Sequence, residues 1–483
     1  MAAQIGKRPA ATSRQSRRLI DPSGAVMSRY LLFCNDLLRL DDNPLLSLPR
    51  DSDAALAVCI LPQRQFSPNR ASRRRRQLQL GLFREFQQRL AVLDIPLLLR
   101  AGDPAVILPQ LLQQYQLERV VAAEPTAPEE YRWTSGLNWQ WLDANSLLAD
   151  ELRPDLNTLP RSFTAFRQQR EPELRVLAPQ QAQPSILALN KILSVAGAIA
   201  LSDLPQPEPD QPIAEALAQQ LPEHFAQWQQ HSEPAVLARF TQYLQQHLSH
   251  YKLSRNALIG ADFASFLSVP LSRGTLSARR AWQLIREHEQ EYGQNESSYW
   301  LRFELLWREY FRHLQRKHPL VFFRHGGLGL HQVPGTAGEA GEALLRWQQG
   351  RTGLPFIDAN MQLLAQTGWM SNRGRQNVAS YLMFQLGCDW RHGAAWFEQQ
   401  LLDYDVASNW GNWAYIAGAL YSAPRSFNAL KQAVEYDSAA RFTTLLLGPP
   451  ETGNHRHQPY EQPDWPAPQA WQWQQYLQQL KAE

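Results

Sequence analysis

Between Arg351 and Tyr415 the chain sets amides, guanidinium groups and carboxylates among tryptophans at short intervals. Asn372, Arg373 and Arg375 fall within four residues and Asp403, Asp405 and Asn409 within seven, with Trp390 and Trp413 close by. Gly353, Gly368, Gly374 and Gly411 punctuate the helical periods that carry them. A buried charge or amide costs several kcal/mol unless it is paired, so an ordinary core does not accept this mixture. The residue types suit a pocket for a large, flat ligand with polar edges. Helix caps and surface ion pairs are the competing reading of the same side chains.

A second group lies upstream. Trp300, Phe303, Trp307, Phe311 and Leu314 recur every three or four residues, which alone is the core stripe of a helix. Glu304 and Arg308 flank it four apart, where a surface ion pair is the default. Ser265 and Ser268 add hydroxyls which, with backbone N–H groups at a helix start, suit an anion.

These residues need two kinds of support. YLLFC (30–34), AALAVCI (54–60), PLLLR (96–100) and ERVVAA (118–123) are short apolar runs. The period between them is helical: Leu82, Phe86, Leu90 and Leu93 recur on one face, and Asp103-Pro104 reads as an N-cap with a first-turn proline. Continuous apolar strands alternating with helices predict a doubly wound parallel sheet over 27–153. No GxGxxG follows any strand, which argues against a nicotinamide site. Residues 154–239, rich in Pro, Gln and Glu and including SDLPQPEPDQP (202–212), read as a long connector. Helical periods take over at 240–448, predicting an all-α second domain, and 449–483 forms a tail.

At 483 residues and 44% hydrophobic content the chain can build two cores. No apolar run approaches a membrane span. Cys34, Cys59 and Cys388 form neither a disulfide framework nor a metal-ligand set, which predicts a reducing compartment, taken as the cytoplasm. The formal charge of +3 is uneven: Lys7, Arg8, Arg14, Arg17 and Arg18 against Asp21 give residues 1–26 a local +4 and leave −1 elsewhere. Residues 1–26 read as a disordered basic leader, with an upstream start codon or a transit peptide as alternatives. Arg73 to Arg76 open a helix against its dipole and read as a solvated run, with an anion or nucleic-acid contact as the alternative.

Four runs carry a family resemblance: TGLPFIDANM (352–361), TGWMSNRGRQNVAS (367–380), DWRHGAAWFE (389–398) and LLDYDVASNWGNWAY (401–415). They resemble the photolyase/cryptochrome flavoproteins and, within these, the DASH-type cryptochromes. FCNDLLRLDDNP (33–44), PQRQF (62–66) and YKLSRN (251–256) are similar to further signatures. The resemblance implies an α/β domain, a helical FAD-binding domain and repair of cyclobutane pyrimidine dimers by light-driven electron transfer from reduced flavin. It implies Tyr251, Arg255, Ser265, Leu267 and Ser268 at the phosphate and adenosine side, with Glu304, Arg308 and Asn372 also at the cofactor. At the ring edge it implies Arg375 paired with Asp403, Asp405 accepting from the imide and Asn409 facing N5. Glu304, Trp307, Asn372, Gln376 and Tyr415 are implied around the lesion, and Trp413 and Trp390 as an electron relay. Glu304 can donate to a thymine carbonyl only when protonated, which requires the raised pKa that burial produces. Arg373, Arg391 and Lys431 are candidate phosphate contacts, each otherwise a solvated charge. Glu129-Glu130 stands where the family contacts an antenna such as methenyltetrahydrofolate, or is two exposed glutamates.

This chain departs from the pattern in specific places. Cys34 replaces an arginine, and Leu38 or Arg39 is inserted. Ala264 and Phe266 replace a hydroxyl and a lysine, which predicts fewer phosphate contacts and weaker flavin binding. No tryptophan lies between Trp307 and Trp347, so the relay is truncated or rerouted through Trp410 or Trp396 and photoreduction is expected to be slow. Gln376 and Tyr415 offer less apolar stacking surface than methionine and tryptophan, predicting a preference for single-stranded lesions. ALYSAPRS (419–426) is a shortened loop, which weakens DNA engagement. The expectation is a monomeric photolyase-type lyase. Its alternatives are a signalling cryptochrome without repair or a binding module without flavin, with the altered tail, including Trp465, Trp471 and Trp473, docked or serving a partner.

Overall fold

A computed structural model describes residues 28–47, 54–148, 153–172, 204–205, 213–220, 232–260, 264–338 and 341–462, together with Leu174, Trp473 and Tyr476. The basic leader, most of SDLPQPEPDQP, and Trp465 and Trp471 lie outside the described residues.

Five strands, β1 (Arg29–Phe33), β2 (Ala54–Pro62), β3 (Leu97–Gly102), β4 (Arg119–Ala123) and β5 (Trp139–Leu142), form one parallel sheet in the order β3-β2-β1-β4-β5. β1 sits centrally, with Leu31 opposite Leu56 on one side and Val120 on the other. Alternation of side chains sends Leu31, Phe33, Leu56, Val58 and Ile60 to one face and Leu32, Ala55, Ala57 and Cys59 to the other. Both faces are buried, so the strands read as unbroken apolar runs. Helix α1 (Arg73–Val92) covers one face with Phe83, Phe86 and Leu90, and α2 (Pro104–Gln114) covers the other with Leu108 and Leu111. Asp103 caps α2 as expected, accepting from Ala105 N. β5 has no apolar run to announce it; its signal is the alternating pair Trp139 and Trp141, whose rings stack at 4.5 Å.

The connector contributes α3 (Phe163–Arg170), capped by Ser162. After a short helix at Glu215–Gln220 comes α4 (Glu233–Gln246), capped by Ser232 with a first-turn proline, so the 239/240 boundary falls inside a helix. The second domain continues with α5 (Ala278–Tyr292), α6 (Glu296–Lys317), α7 (Pro355–Thr367), α8 (Asn372–Ser380), α9 (Trp390–Gln400), α10 (Val406–Ala417) and α11 (Ala429–Tyr436). Short polar side chains start most of them: Asn295 makes a capping box with Ser298, and Ser371, Asp389, Asp405 and Asn428 each accept from the first turn of their helix. The tail is docked where it is described. Trp473 is buried in the helical core, Tyr476 Oη accepts from Asn428, and Tyr460 donates to buried Asp358.

Buried polar groups clamp the two domains. Arg39, one of the two residues at the apparent insertion, donates to the carbonyls of Asp42, Ala144 and Gly274. Gly274 has φ +76, and a Cβ there would stand 2.1 Å from the Asp36 carbonyl oxygen, so only glycine lets the backbones meet. Arg75 corrects the solvated reading of the four-arginine run. It is 3% exposed, donates to the carbonyls of Arg70 and Glu398, and lies 4.5 Å over the Tyr404 ring. Burial lowers its pKa to about 10.

Candidate functional site

The N-termini of α8 and α10, the inward face of α6 and the segment before Arg273 converge on a cavity of about 320 Å³. Every residue that the resemblance implied at the cofactor lines it: Tyr251, Arg255, Ser265, Leu267, Ser268, Glu304, Arg308, Asn372, Arg375, Asp403, Asp405 and Asn409. Gln376 and Trp413 share the wall. Sequence reasoning missed the apolar lining of Leu271, Met370, Phe397 and Leu401, which looks like any core from its pattern.

Arg375 Nη2 donates to Asp403 Oδ2 at 2.8 Å, and its Nε donates to the Met370 carbonyl, which aims the guanidinium. Asp403 Oδ1 is buried with no hydrogen-bond partner. A half-satisfied buried carboxylate is costly and points to a donor supplied from outside the chain. Asp405 caps α10 through the backbone N–H of Ser408 at 2.7 Å. Burial would raise its pKa, but Arg308, Arg312 and the Ser408 hydrogen bonds outweigh that and hold the carboxyl below its usual range. Asn409 gives an amide hydrogen to the Ala394 carbonyl at 3.0 Å, so its oxygen is the acceptor available to a ligand.

Glu304 does not make the surface pair with Arg308 that their spacing offered. It accepts from Arg255 Nη1 at 2.6 Å, while Arg308 donates to the Asn145 carbonyl at 2.9 Å. Burial raises the Glu304 pKa, opposed by Arg255. In the segment 264–268, Phe266 takes φ +51, unusual for an aromatic residue, and its ring packs 5.2 Å from Trp369. An aromatic contact therefore holds the loop where a lysine was expected.

Other expected residues stand outside this wall. Trp307 is stacked under Phe163 of α3 at 3.7 Å and 13°, with Tyr415 edge-on at 5.5 Å. The exposed Arg425 lies 4.5 Å over the Tyr415 ring. Arg373 is committed to Asn256, Gln376 and Gln432 and packs over Tyr436, and the partly exposed Arg391 is paired with Asp389. Lys431 is exposed. Trp390 donates to the His325 carbonyl and meets Trp410 edge-on at 6.0 Å. Trp413, which is on the wall, fills the space left by Gly393, where a Cβ would lie 2.3 Å from the indole.

A second cavity of about 130 Å³ opens between the domains, bounded in part by Asp36, Glu129, Glu130, Arg312, Glu398 and Tyr404. It shares Leu271, Arg308 and Asp405 with the first. Glu129 and Glu130 are not two exposed glutamates: Glu129 pairs with Arg70 at 2.8 Å, and burial, with Asp36 nearby, pushes Glu130 up to about 8.

Family models match both halves: DNA photolyase over residues 30–185 and the FAD binding domain of DNA photolyase over residues 300–476. The chain is 35% identical to a cryptochrome DASH of Natronomonas pharaonis over 446 residues, 87% of this chain and 90% of that protein. It is 34% identical to a Xenopus laevis cryptochrome DASH over 454 residues, 87% and 83% of the two. The chain belongs to the DASH cryptochromes of the photolyase family. Among solved structures, a Synechocystis cryptochrome superposes with TM-score 0.76 at 31% identity, covering 94% of this chain and 99% of the other. An Agrobacterium tumefaciens class III photolyase superposes with TM-score 0.69 at 20% identity, covering 96% and 100%, a likeness of fold alone. FAD is the cofactor of this DASH cryptochrome. The cavity's polar groups fit it, with an unpartnered buried carboxylate oxygen and an amide oxygen as acceptors on one wall. Among the described residues no helix is long and apolar enough to cross a membrane.

Proposed function

We propose that this DASH cryptochrome is a blue-light-driven lyase that opens cyclobutane pyrimidine dimers in DNA, single strands in preference to duplex. The observation that carries the reading is the open valence of Asp403 beside Arg375, Asp405 and Asn409 on one cavity wall. FAD bound there supplies a light-driven one-electron donor, and the protein supplies position, charge and dryness. Arg375 and Asp403 would pair at the ring edge, Asp405 would accept from the imide, and the Asn409 oxygen would accept at N5. Tyr251, Arg255, Ser265, Leu267 and Ser268 would hold the phosphate and adenosine side, with Arg308 and Asn372 beside them. Burial of Glu304 favours the protonated form that donates to a pyrimidine carbonyl, and a phosphate drawing Arg255 away would favour it further.

The flipped lesion would meet Glu304, Asn372 and Gln376, with Trp307 and Tyr415 at the mouth. Lys431 and Arg425 are the exposed cations nearest in role to phosphate contacts, while Arg373 and Arg391 would have to exchange existing partners. Trp413 and Trp390 would feed electrons inward, and the Trp390–Trp410 contact favours Trp410 as the rerouted step. The interdomain cavity would take a methenyltetrahydrofolate-type antenna against Glu129 and Glu130. The protein would act as a monomer in a reducing cytoplasm, where its buried thiols Cys34 and Cys59 stay free.

Illumination of the purified, yellow protein with a thymine-dimer oligonucleotide tests this. Restored thymines, faster on single strands than on duplex, are the expected result. A second reading, a signalling cryptochrome without repair, is favoured by the Phe163 ring that already covers one face of Trp307. Flavin bands together with intact dimers after illumination would select it.

A further inference from the structure

Glu398 is a single buried carboxylate with three kinds of donor. Its Oε2 accepts from the Tyr404 hydroxyl and from Trp410 Nε1, each at 2.9 Å, and its Oε1 accepts from Arg70 at 2.5 Å. Two oxidisable rings, each 8% exposed, therefore share one proton acceptor. Their places in the fold are informative. Trp410 lies one turn before Trp413 on α10 and touches Trp390. Tyr404 lies between Asp403 and Asp405 of the first cavity, yet it and Glu398 face the second.

We infer that Tyr404, Glu398 and Trp410 form a proton-coupled electron-donor branch that carries oxidising equivalents from the flavin cavity to the interdomain cavity. The inference rests on the proposed photochemistry, in which the photoexcited flavin is the oxidant and an electron leaves the tryptophans beside it. With a cation radical at Trp410, Tyr404 gives it one electron and passes its phenolic proton across the 2.9 Å hydrogen bond to Glu398. Trp410 returns to its neutral closed-shell form, Tyr404 becomes a neutral phenoxyl radical, and Glu398 becomes a carboxylic acid. A thiol or other one-electron reductant reaching the interdomain cavity restores the phenol, with the proton returned from Glu398.

The surroundings favour this course over a bare cation. Arg75 lies 4.5 Å over the Tyr404 ring and Arg70 binds the carboxylate, so a positive charge on the phenol would be repelled while a neutral radical is not. The phenol itself stays protonated at rest, since burial and Glu398 hold its pKa well above the ordinary value. It therefore has a proton to release at the moment of oxidation, and its acceptor is already hydrogen-bonded.

The test is electron paramagnetic resonance on the full chain, frozen after oxidation by two routes. One is blue light on the flavin-bound protein. The other is flash-quench with ruthenium tris-bipyridine and a sacrificial electron acceptor, which needs no flavin. A tyrosyl signal is expected in the wild type by both routes, forming more slowly in D2O. Tyr404→Phe keeps the ring over Arg75 and loses the signal. Glu398→Gln keeps an acceptor for both hydrogen bonds but cannot take the proton, and loses both the fast phase and its isotope effect. A tyrosyl signal that survives Tyr404→Phe, or no such signal from the wild type, or unchanged kinetics in Glu398→Gln, overturns the inference. Absence of flavin bands removes the proposed function instead and leaves the flash-quench result standing.

Discussion

The two cavities differ in how their polar groups are satisfied. Around the larger one, Asp403 Oδ1 has no partner and Asn409 offers an oxygen, although both side chains are buried. Around the smaller one, opposite charges answer each other: Arg70 bridges Glu129 and Glu398, and Glu130 accepts from the Ala127 N–H. A buried carboxylate oxygen left open invites a ligand's donor, whereas carboxylates already paired with arginine hold their shape without one.

Breaking the open wall should cost most. Arg375→Ala strands Asp403 as an uncompensated buried charge, for which a loss of about 3–5 kcal/mol is typical. Denaturant unfolding should show it, with flavin absorbance lost from the purified protein. Gly393→Ala comes next, because the new Cβ must displace Trp413 from that wall; overpacking of this kind costs roughly 1–3 kcal/mol. Reduced thermal stability with altered Trp fluorescence is the expected readout, and an unchanged variant would mean the wall is softer than drawn.

The closed wall should answer to pH. Glu130, raised to about 8, takes up a proton on folding between the ordinary glutamate range and that value. The stability it contributes is complete below the ordinary range and is lost as pH rises through about 8. Glu130→Gln should flatten that decline and melt higher than the wild type in mild alkali, while matching it in acid. A variant with the wild-type slope would locate the titration elsewhere in the cleft. The smallest effect is expected outside both cavities. Arg425→Ala should leave stability unchanged, weaken single-stranded oligonucleotide binding, and lower the salt slope by about 1.

Much of this was legible in the chain. Four strands, both of their helical covers and the polar side of the cofactor wall could be named because their signals are local: apolar runs, capping residues and fixed offsets around Asn372 and Asp403. What escaped depends on which segment comes to lie against which. Arg75 reads as a solvated cation until Tyr404 and the Glu398 carbonyl arrive beside it from more than three hundred residues away. Glu304 reads as the partner of Arg308, one turn along, until Arg255 approaches from another element. The Phe163 ring on Trp307 joins the connector to the helical domain, and nothing in either segment's period foretells the contact. β5 was missed for a different reason, since a four-residue strand with two tryptophans carries too short a pattern to separate from a turn.

The partition of Leu271, Arg308 and Asp405 is a single layer of side chains common to both chambers. Mobile ions screen charge over about 8–10 Å in solution, a span longer than such a layer is thick and one that presupposes water, which a packed wall excludes. An electron added on one side is therefore felt on the other with less ionic screening than across the same span of solvent. Any chromophore in the cleft would act as a voltmeter for the flavin, its absorption maximum moving as its neighbour gains or loses charge.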